Sequence, residues 1–231
     1  FQYYAGRSIT IYNPSVVAVN NETFHSVAAA QVTVSVPAGS RAAYRANPVW
    51  AYFNVVEMDA AINHASKALD FNSSGTYIDC GSDASLDFSD SFTIEGWILP
   101  QSKSGWSAIA TKDYNNGAQG FQFYVEGANL CLNFANGSNF STPITLSEWQ
   151  HVAAVFSNGT AQLYVNGVLQ KSISTAKFTN STTSLLIGAR HNNNGVGIAD
   201  VFNGCIDELR IWNTARTIDE LRVYMGKPIP N

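Results

Sequence analysis

Charge is what this sequence has least of. Only 13% of its 231 residues are Asp, Glu, Lys or Arg, and 17 acids against 13 bases leave a formal net charge of -4. So neutral a surface offers little grip on a phosphate backbone or an anionic bilayer, which excludes nucleic acid and membrane surfaces as expected partners. Long apolar runs are missing as well. None approaches the roughly 20 residues of a membrane-spanning helix, so no membrane insertion is expected. Cysteine is scarce: Cys80, Cys131 and Cys205 are too widely spaced for a zinc cluster and allow at most one intrachain disulfide. By strand alternation Cys80 shares an apolar face with Ile78 and Cys205 with Leu209, while Cys131 faces away from Leu130, Leu132 and Phe134. Cys80 with Cys205 is the candidate disulfide; the alternative is three reduced thiols packed as small hydrophobes.

The motifs of catalysis are absent too. His25, His64, His151 and His191 form no His-Glu-x-x-His and no short pair suited to zinc. There is no Gly-x-Ser-x-Gly elbow and no phosphate loop, and Gly195-Val196-Gly197 lacks the remaining glycine and the strand-to-helix setting of a dinucleotide site. Glycoside hydrolysis needs paired carboxylates. Glu57 and Asp59 alternate, yet no third acid follows at the spacing of the β-glucan hydrolases. Glu95 alternates with Thr93 and Trp97, opposite Phe92, Ile94 and Ile98. It projects alone into a groove or serves as a hydrogen-bonded structural acid. The chain is read as non-enzymatic, with no catalytic residue.

What is present is β patterning. Apolar residues make up 45% of the chain, and they recur with period two. Strands are expected over 8–12, 30–36, 49–57, 68–71, 77–80, 92–99, 108–112, 121–126, 130–134, 150–156, 161–165, 184–189 and 204–212. Asn-Gly pairs at 116–117, 136–137, 158–159 and 166–167 supply turns between them. One helix is expected from Thr217 to Tyr224, where Thr217 and Glu220 have capping-box spacing. A helical turn over 58–66 marks a change of character. It divides an N-terminal β-rich attachment or assembly segment, 1–66, from a larger β domain, 67–231.

The last strand, FNGCIDELRIWN over 202–213, contains an anomaly. Simple alternation puts Cys205, Asp207, Leu209 and Ile211 on one side and Ile206, Glu208, Arg210 and Trp212 on the other. Asp207 then lies on an apolar face, where a carboxylate needs a partner.

Several stretches carry a resemblance when taken in order. They are Ala68-Leu69-Asp70-Phe71, Tyr77-Ile78-Asp79, Phe92-Thr93-Ile94-Glu95-Gly96-Trp97-Ile98, Trp149-Gln150-His151-Val152-Ala153, Leu163-Tyr164-Val165-Asn166-Gly167 and the final strand with its capped helix. Together, over about Lys67 to Tyr224, they resemble the laminin-G-like, concanavalin A-like jelly roll. Asn166 stands where that family often has Asp. The resemblance implies an all-β fold: a two-sheet antiparallel jelly-roll sandwich, here with a smaller N-terminal β segment. It also implies a concave face and rim loops that bind glycans or protein partners. For Asp207 it implies one structural Ca²⁺ held against the first strand, with Asp70 as a second ligand and backbone carbonyls completing the shell. The alternative is Asp207 hydrogen-bonded to backbone N–H groups without metal.

Candidate ligand-binding residues fall in loops that mix amides with an aromatic face: Tyr114, Asn115 and Asn116, then Asn192, Asn193 and Asn194, with Trp106 as a further stacking candidate. Ordinary solvated turns have the same composition. Asp200 is placed to orient the second loop or to assist a cation. Glycosylation sequons occur at Asn21, Asn72, Asn136, Asn139, Asn158 and Asn180. The expected function is an extracellular recognition or adhesion module at a cell or virion surface, binding carbohydrate or a surface protein. The alternative is a structural subunit of a virion or extracellular filament, self-assembling through residues 1–66.

Overall fold

The computed structural model describes residues 8–11, 16–18, 32–36, 40–57, 68–72, 75–88, 90–101, 105–114, 119–134, 139–175, 178–192 and 197–226. Two compact units separate within it, one drawn from Phe1–Asn63 with Gly226–Pro228, the other from His64–Met225 with Ile229–Asn231. The helical turn expected over 58–66 lies outside the described residues.

In the first unit β1 (Ser8–Thr10), β2 (Thr33–Val36) and β3 (Asn54–Glu57) pair in parallel, in that order. Parallel neighbours need a crossover. Between β2 and β3 it contains helix α1 (Arg41–Ala46) and a 3-10 turn, Trp50–Tyr52. That turn shortens the strand expected over 49–57. Val34, Val36, Tyr44, Trp50, Phe53 and Val55 form a core of their own, and the Trp50 indole N–H donates to the Val17 carbonyl at 2.9 Å.

The second unit is the expected sandwich of two antiparallel sheets. Sheet I has the order β10-β9-β8-β7-β14-β5: Asn139–Pro143, Asn129–Phe134, Gln119–Glu126, Trp106–Tyr114, Leu186–Ile187 and Ile78–Asp79. Sheet II has the order β13-β12-β11-β6-β17-β4: Val168–Ser174, Thr160–Val165, Gln150–Ser157, Ser91–Pro100, Asn203–Trp212 and Leu69–Asn72. A small ribbon, β15 (Arg190–His191) with β16 (Ile198–Ala199), accompanies them. The hairpins β11–β12 and β12–β13 turn at Asn158-Gly159 (φ 46° and 78°) and Asn166-Gly167 (φ 49° and 67°). Positive φ at both central positions is the twist-matched turn that Asn-Gly favours. Between the sheets lies an aromatic cluster in which Phe92 stacks on Phe156 at 5.5 Å and packs within 6.2 Å of Phe88, Phe121, Phe134 and Phe178.

In β17 alternation fails. Its pairing with β6 runs Ile206 opposite Ile98 and Asp207 opposite Trp97, then resumes with Arg210 opposite Glu95 and Ile211 opposite Ile94. Glu208 sits at φ 52°, and Gly96 makes room: a Cβ there would lie 3.1 Å from the Leu209 Cα. This bulge resets the phase, so Ile206, Leu209 and Ile211 all pack on the core. Asp207 is therefore not on the apolar face. It is half-buried on the outer side of sheet II, where its carboxylate accepts the Glu208 N–H at 2.9 Å.

Helix α2 (Ile218–Met225) closes the unit. The expected capping box forms: Glu220 accepts the Thr217 N–H at 2.8 Å, and Thr217 Oγ1 accepts the Glu220 N–H at 3.3 Å.

Candidate functional site

A sandwich has two outer faces on which to present a ligand site, and here they differ. On sheet II the outward residues are Thr93, Glu95 and Trp97 of β6, His151, Ala153 and Val155 of β11, and Arg210 and Trp212 of β17. Helix α2 and the segment before it pack on this face. Leu221 joins Ala153, Val155 and Tyr164 in a buried cluster, Trp97 Nε1 donates to the Met225 carbonyl at 3.0 Å, and Thr93 Oγ1 donates to the Thr214 carbonyl at 2.9 Å. The Arg216 guanidinium lies 4.2 Å from the Trp212 ring centroid and 4.8 Å from that of Tyr224. Glu95 is fully buried beneath this cap. One of its oxygens accepts the Trp212 indole N–H at 2.7 Å and the other stands 3.3 Å from His151 Nε2. Of the two readings of Glu95, the structural one fits: the carboxylate is fully buried and hydrogen-bonded to Trp212.

The outer face of sheet I is built differently. Phe121, Phe123 and Val125 of β8, with Leu130, Leu132 and Phe134 of β9, turn inward to the core. The alternate residues turn outward, and register aligns them in rows across the strands. The first row is Trp106, Glu126, Asn129 and Pro143; the second is Ala108, Tyr124, Cys131 and Ser141; the third is Thr111, Gln122, Asn133 and Asn139. From the third row Asn133 and Gln122 form a buried relay with Asp113, Asn133 Nδ2 donating to Gln122 Oε1 at 3.1 Å and Gln122 Nε2 to Asp113 Oδ2 at 2.7 Å. Such a relay fixes the rotamers of its members. At the other end Trp106 stacks on Tyr124 at 4.6 Å and donates its indole N–H to Glu126 at 3.0 Å. Arg190 stands 5.6 Å from the Trp106 ring centroid and pairs with Asp200 at 2.8 Å. Burial raises the Tyr124 phenol and pushes the Cys131 thiol up to about 11, with the Glu126 charge adding to the latter. Both stay protonated at neutral pH. Glu126, Asn129 and Asn139 are exposed, and Trp106 and Ser141 half-exposed. These five offer a preformed strip of hydrogen-bonding groups beside an aromatic edge.

The structure brings only part of the sequence-derived site together. Trp106 belongs to the strip, though Tyr124 already covers its ring on one side. Tyr114 ends β7, its side chain outside the description, and Asn192 is half-buried just after β15. Asn115, Asn116, Asn193 and Asn194 lie outside the described residues. Asp200 accepts from Arg190 Nε at 2.8 Å, and the loop it was expected to orient lies largely outside the described residues. Glu126, Asn129, Asn139 and Ser141 were missed; their signal was the polar half of the alternation in β8 to β10.

Asp70 lies opposite Cys205, so Asp70 and Asp207 share the outer side of sheet II as diagonal neighbours. Two carboxylates are fewer than the six to eight oxygens calcium takes. Among the described residues no three His, Cys, Asp or Glu side chains gather as for a metal ion. Cys80, Cys131 and Cys205 are free thiols. Cys80, exposed beside β5 at the edge of sheet I, and Cys205, in sheet II, stay apart, so the candidate disulfide is not formed.

The family model described as the concanavalin A-like lectin/glucanases superfamily matches residues 72–222. The chain belongs to that superfamily. No curated protein matches the sequence itself. Among solved structures, this superfamily member resembles the CBM40 of the Ruminococcus gnavus IT-sialidase, bound to alpha2,3 sialyllactose, at TM-score 0.58 and 16% identity, over 68% of this chain and 96% of that one. It resembles a Bacteroides ovatus protein provisionally described as carbohydrate-binding at TM-score 0.53 and 22% identity, over 63% of this chain and 43% of that one. It also resembles a leech intramolecular trans-sialidase at TM-score 0.57 and 16% identity, over 71% of this chain but 28% of the enzyme. At these identities the likeness establishes a common fold.

Proposed function

We propose that the chain is a non-enzymatic carbohydrate-recognition module and that its ligand lies on the outer face of sheet I. The observation that carries the reading is the difference between the two outer faces. Sheet II is closed by α2, whereas sheet I presents Trp106, Glu126, Asn129, Asn139 and Ser141 on rigid strands. Sugar hydroxyls both donate and accept, which matches amides, a hydroxyl and a carboxylate held in register. The carbohydrate-bound R. gnavus structure supports the reading by fold. Against catalysis stands the placement of Glu95, which is buried, bonded to Trp212 and remote from the strip's elements.

Glycan-array screening of the full chain followed by calorimetric titration tests this. Replacing Glu126 and Asn129 together with Ala should weaken binding about tenfold to a hundredfold, one to two hydrogen bonds' worth. The ligand should be recovered unchanged after prolonged incubation. Binding indifferent to both substitutions, or release of shorter sugars, would overturn the proposal.

A further inference from the structure

Among the described residues the strip on sheet I has no cation to offer. Strands β8, β9 and β10 contain neither lysine nor arginine. Strand β7 supplies Lys112, which is opposite core residue Phe121, fully buried, and bonded to Asp87 at 3.1 Å and to the Ser181 carbonyl. Arg190 is engaged by Asp200 Oδ2 at 2.8 Å and by the His191 carbonyl at 3.0 Å, and is itself 8% exposed. The exposed charge in the strip is the carboxylate of Glu126, kept in place by the Trp106 indole. The segments 115–118 (NNGA), 135–138 (ANGS) and 193–196 (NNGV), which join β7 to β8, β9 to β10 and β15 to β16, bring no charge in their sequences.

Resting on the glycan reading above, we infer that this strip takes neutral, hydroxyl-rich sugars and discriminates against sugars that carry a carboxylate, sulfate or phosphate. A neutral hydroxyl donates to the Glu126 oxygens while its own oxygen accepts from Asn129 or Asn139, so every partner is satisfied. An acidic substituent in the same place meets the Glu126 carboxylate with no counter-cation. It then suffers both desolvation and like-charge repulsion. The ligand class thus differs from the sialyllactose bound by the R. gnavus module of similar fold.

The test is titration of the full chain with matched pairs that differ in an acidic group, lactose against 3′-sialyllactose among them, on an array that spans both classes. Neutral members should bind at least about tenfold more tightly than their acidic partners at low salt. Glu126→Gln, which keeps an acceptor for the indole and removes the charge, should narrow that gap by raising the affinity for the acidic members. Tighter binding of the acidic members would overturn the inference. Lys103, outside the described residues, is the cation nearest in sequence to Trp106, and an acidic preference that disappears in Lys103→Ala would name the residue responsible. Binding of neither class would overturn the glycan reading itself.

Discussion

Gly204→Ala is the sharpest test of how the last strand is seated. Gly204 lies between two neighbours, opposite Phe71 of β4 and Pro100 of β6. Its φ is 137°, and an added Cβ would fall 2.0 Å from the Leu99 carbonyl oxygen and 3.2 Å from the Gln101 nitrogen. Both obstacles are backbone, which cannot swing aside as a side chain can. The glycine-only conformation costs an alanine about 1–3 kcal/mol, and overpacking adds about 1–3 kcal/mol. We expect a loss of about 4 kcal/mol, the middle of that sum. Gly81 supplies the control, because its φ is 76° and nothing lies within 4 Å of its would-be Cβ. Gly81→Ala should cost about 1–2 kcal/mol, from conformation alone. Urea unfolding followed by tryptophan fluorescence reads both, since Trp97, Trp106, Trp149 and Trp212 all belong to the sandwich unit. With a slope of about 2 kcal/mol per molar, the Gly204→Ala midpoint should fall by about 2 M. Equal losses in the two variants would refute the close approach of Leu99 to Gly204, and with it the pairing of β17.

Asp207→Ala should cost about 1–2 kcal/mol through loss of the charged acceptor for the Glu208 N–H, whether or not a chelator is present; a chelator that lowers the wild-type melting temperature but leaves the variant unmoved would instead make Asp207 a calcium ligand. Hydrogen bonds from Asn180 and Lys112 hold Asp87 below its ordinary carboxylate range. A lowered folded pKa contributes stability above the unfolded value, near 4, and that contribution is lost as pH falls through the folded value. The wild type should therefore lose more stability than Asp87→Asn between pH 5 and the acid limit of the urea titrations; parallel curves would remove Asp87 from the account.

The strands that were legible are those whose inward residues are large. β6, β8 and β9 turn phenylalanines, leucines and isoleucines inward on alternate positions, and β11 and β12 turn in Val152, Ala154, Phe156, Ala161 and Leu163; burial of one face follows from that period. β10 and β13 were not legible because neither carries a run of large inward residues: of Asn139–Pro143 only Phe140 and Thr142 are buried. Val168–Ser174 is almost wholly exposed, so its sequence carries no apolar period to read. Helix α1 was missed for a related reason, since RAAYRA turns only Tyr44 inward. At the candidate site Trp106 could be singled out by type. Its neighbours Glu126 and Asn129 could not, because they meet it only through cross-strand register. Register depends on turns and bulges as well as on composition.

The bulge in β17 links these observations. Counted straight on from Ile206, alternation would turn Arg210 and Trp212 into the core and Leu209 and Ile211 outward. The two-for-one step opposite Gly96 reverses that. Leu209 and Ile211 then join the core, while Trp212 emerges to bond Glu95 and Arg210 emerges to lie 5.7 Å from the Tyr224 ring centroid. Those outward side chains are what α2 packs against. Gly96→Val should press on the Leu209 Cα and force the bulge to shift, and the first structure to suffer should be the docking of α2 rather than the aromatic core. Sheet II is thus closed by a consequence of one irregular step in its own strand, and the surface proposed for recognition is the outer face of sheet I.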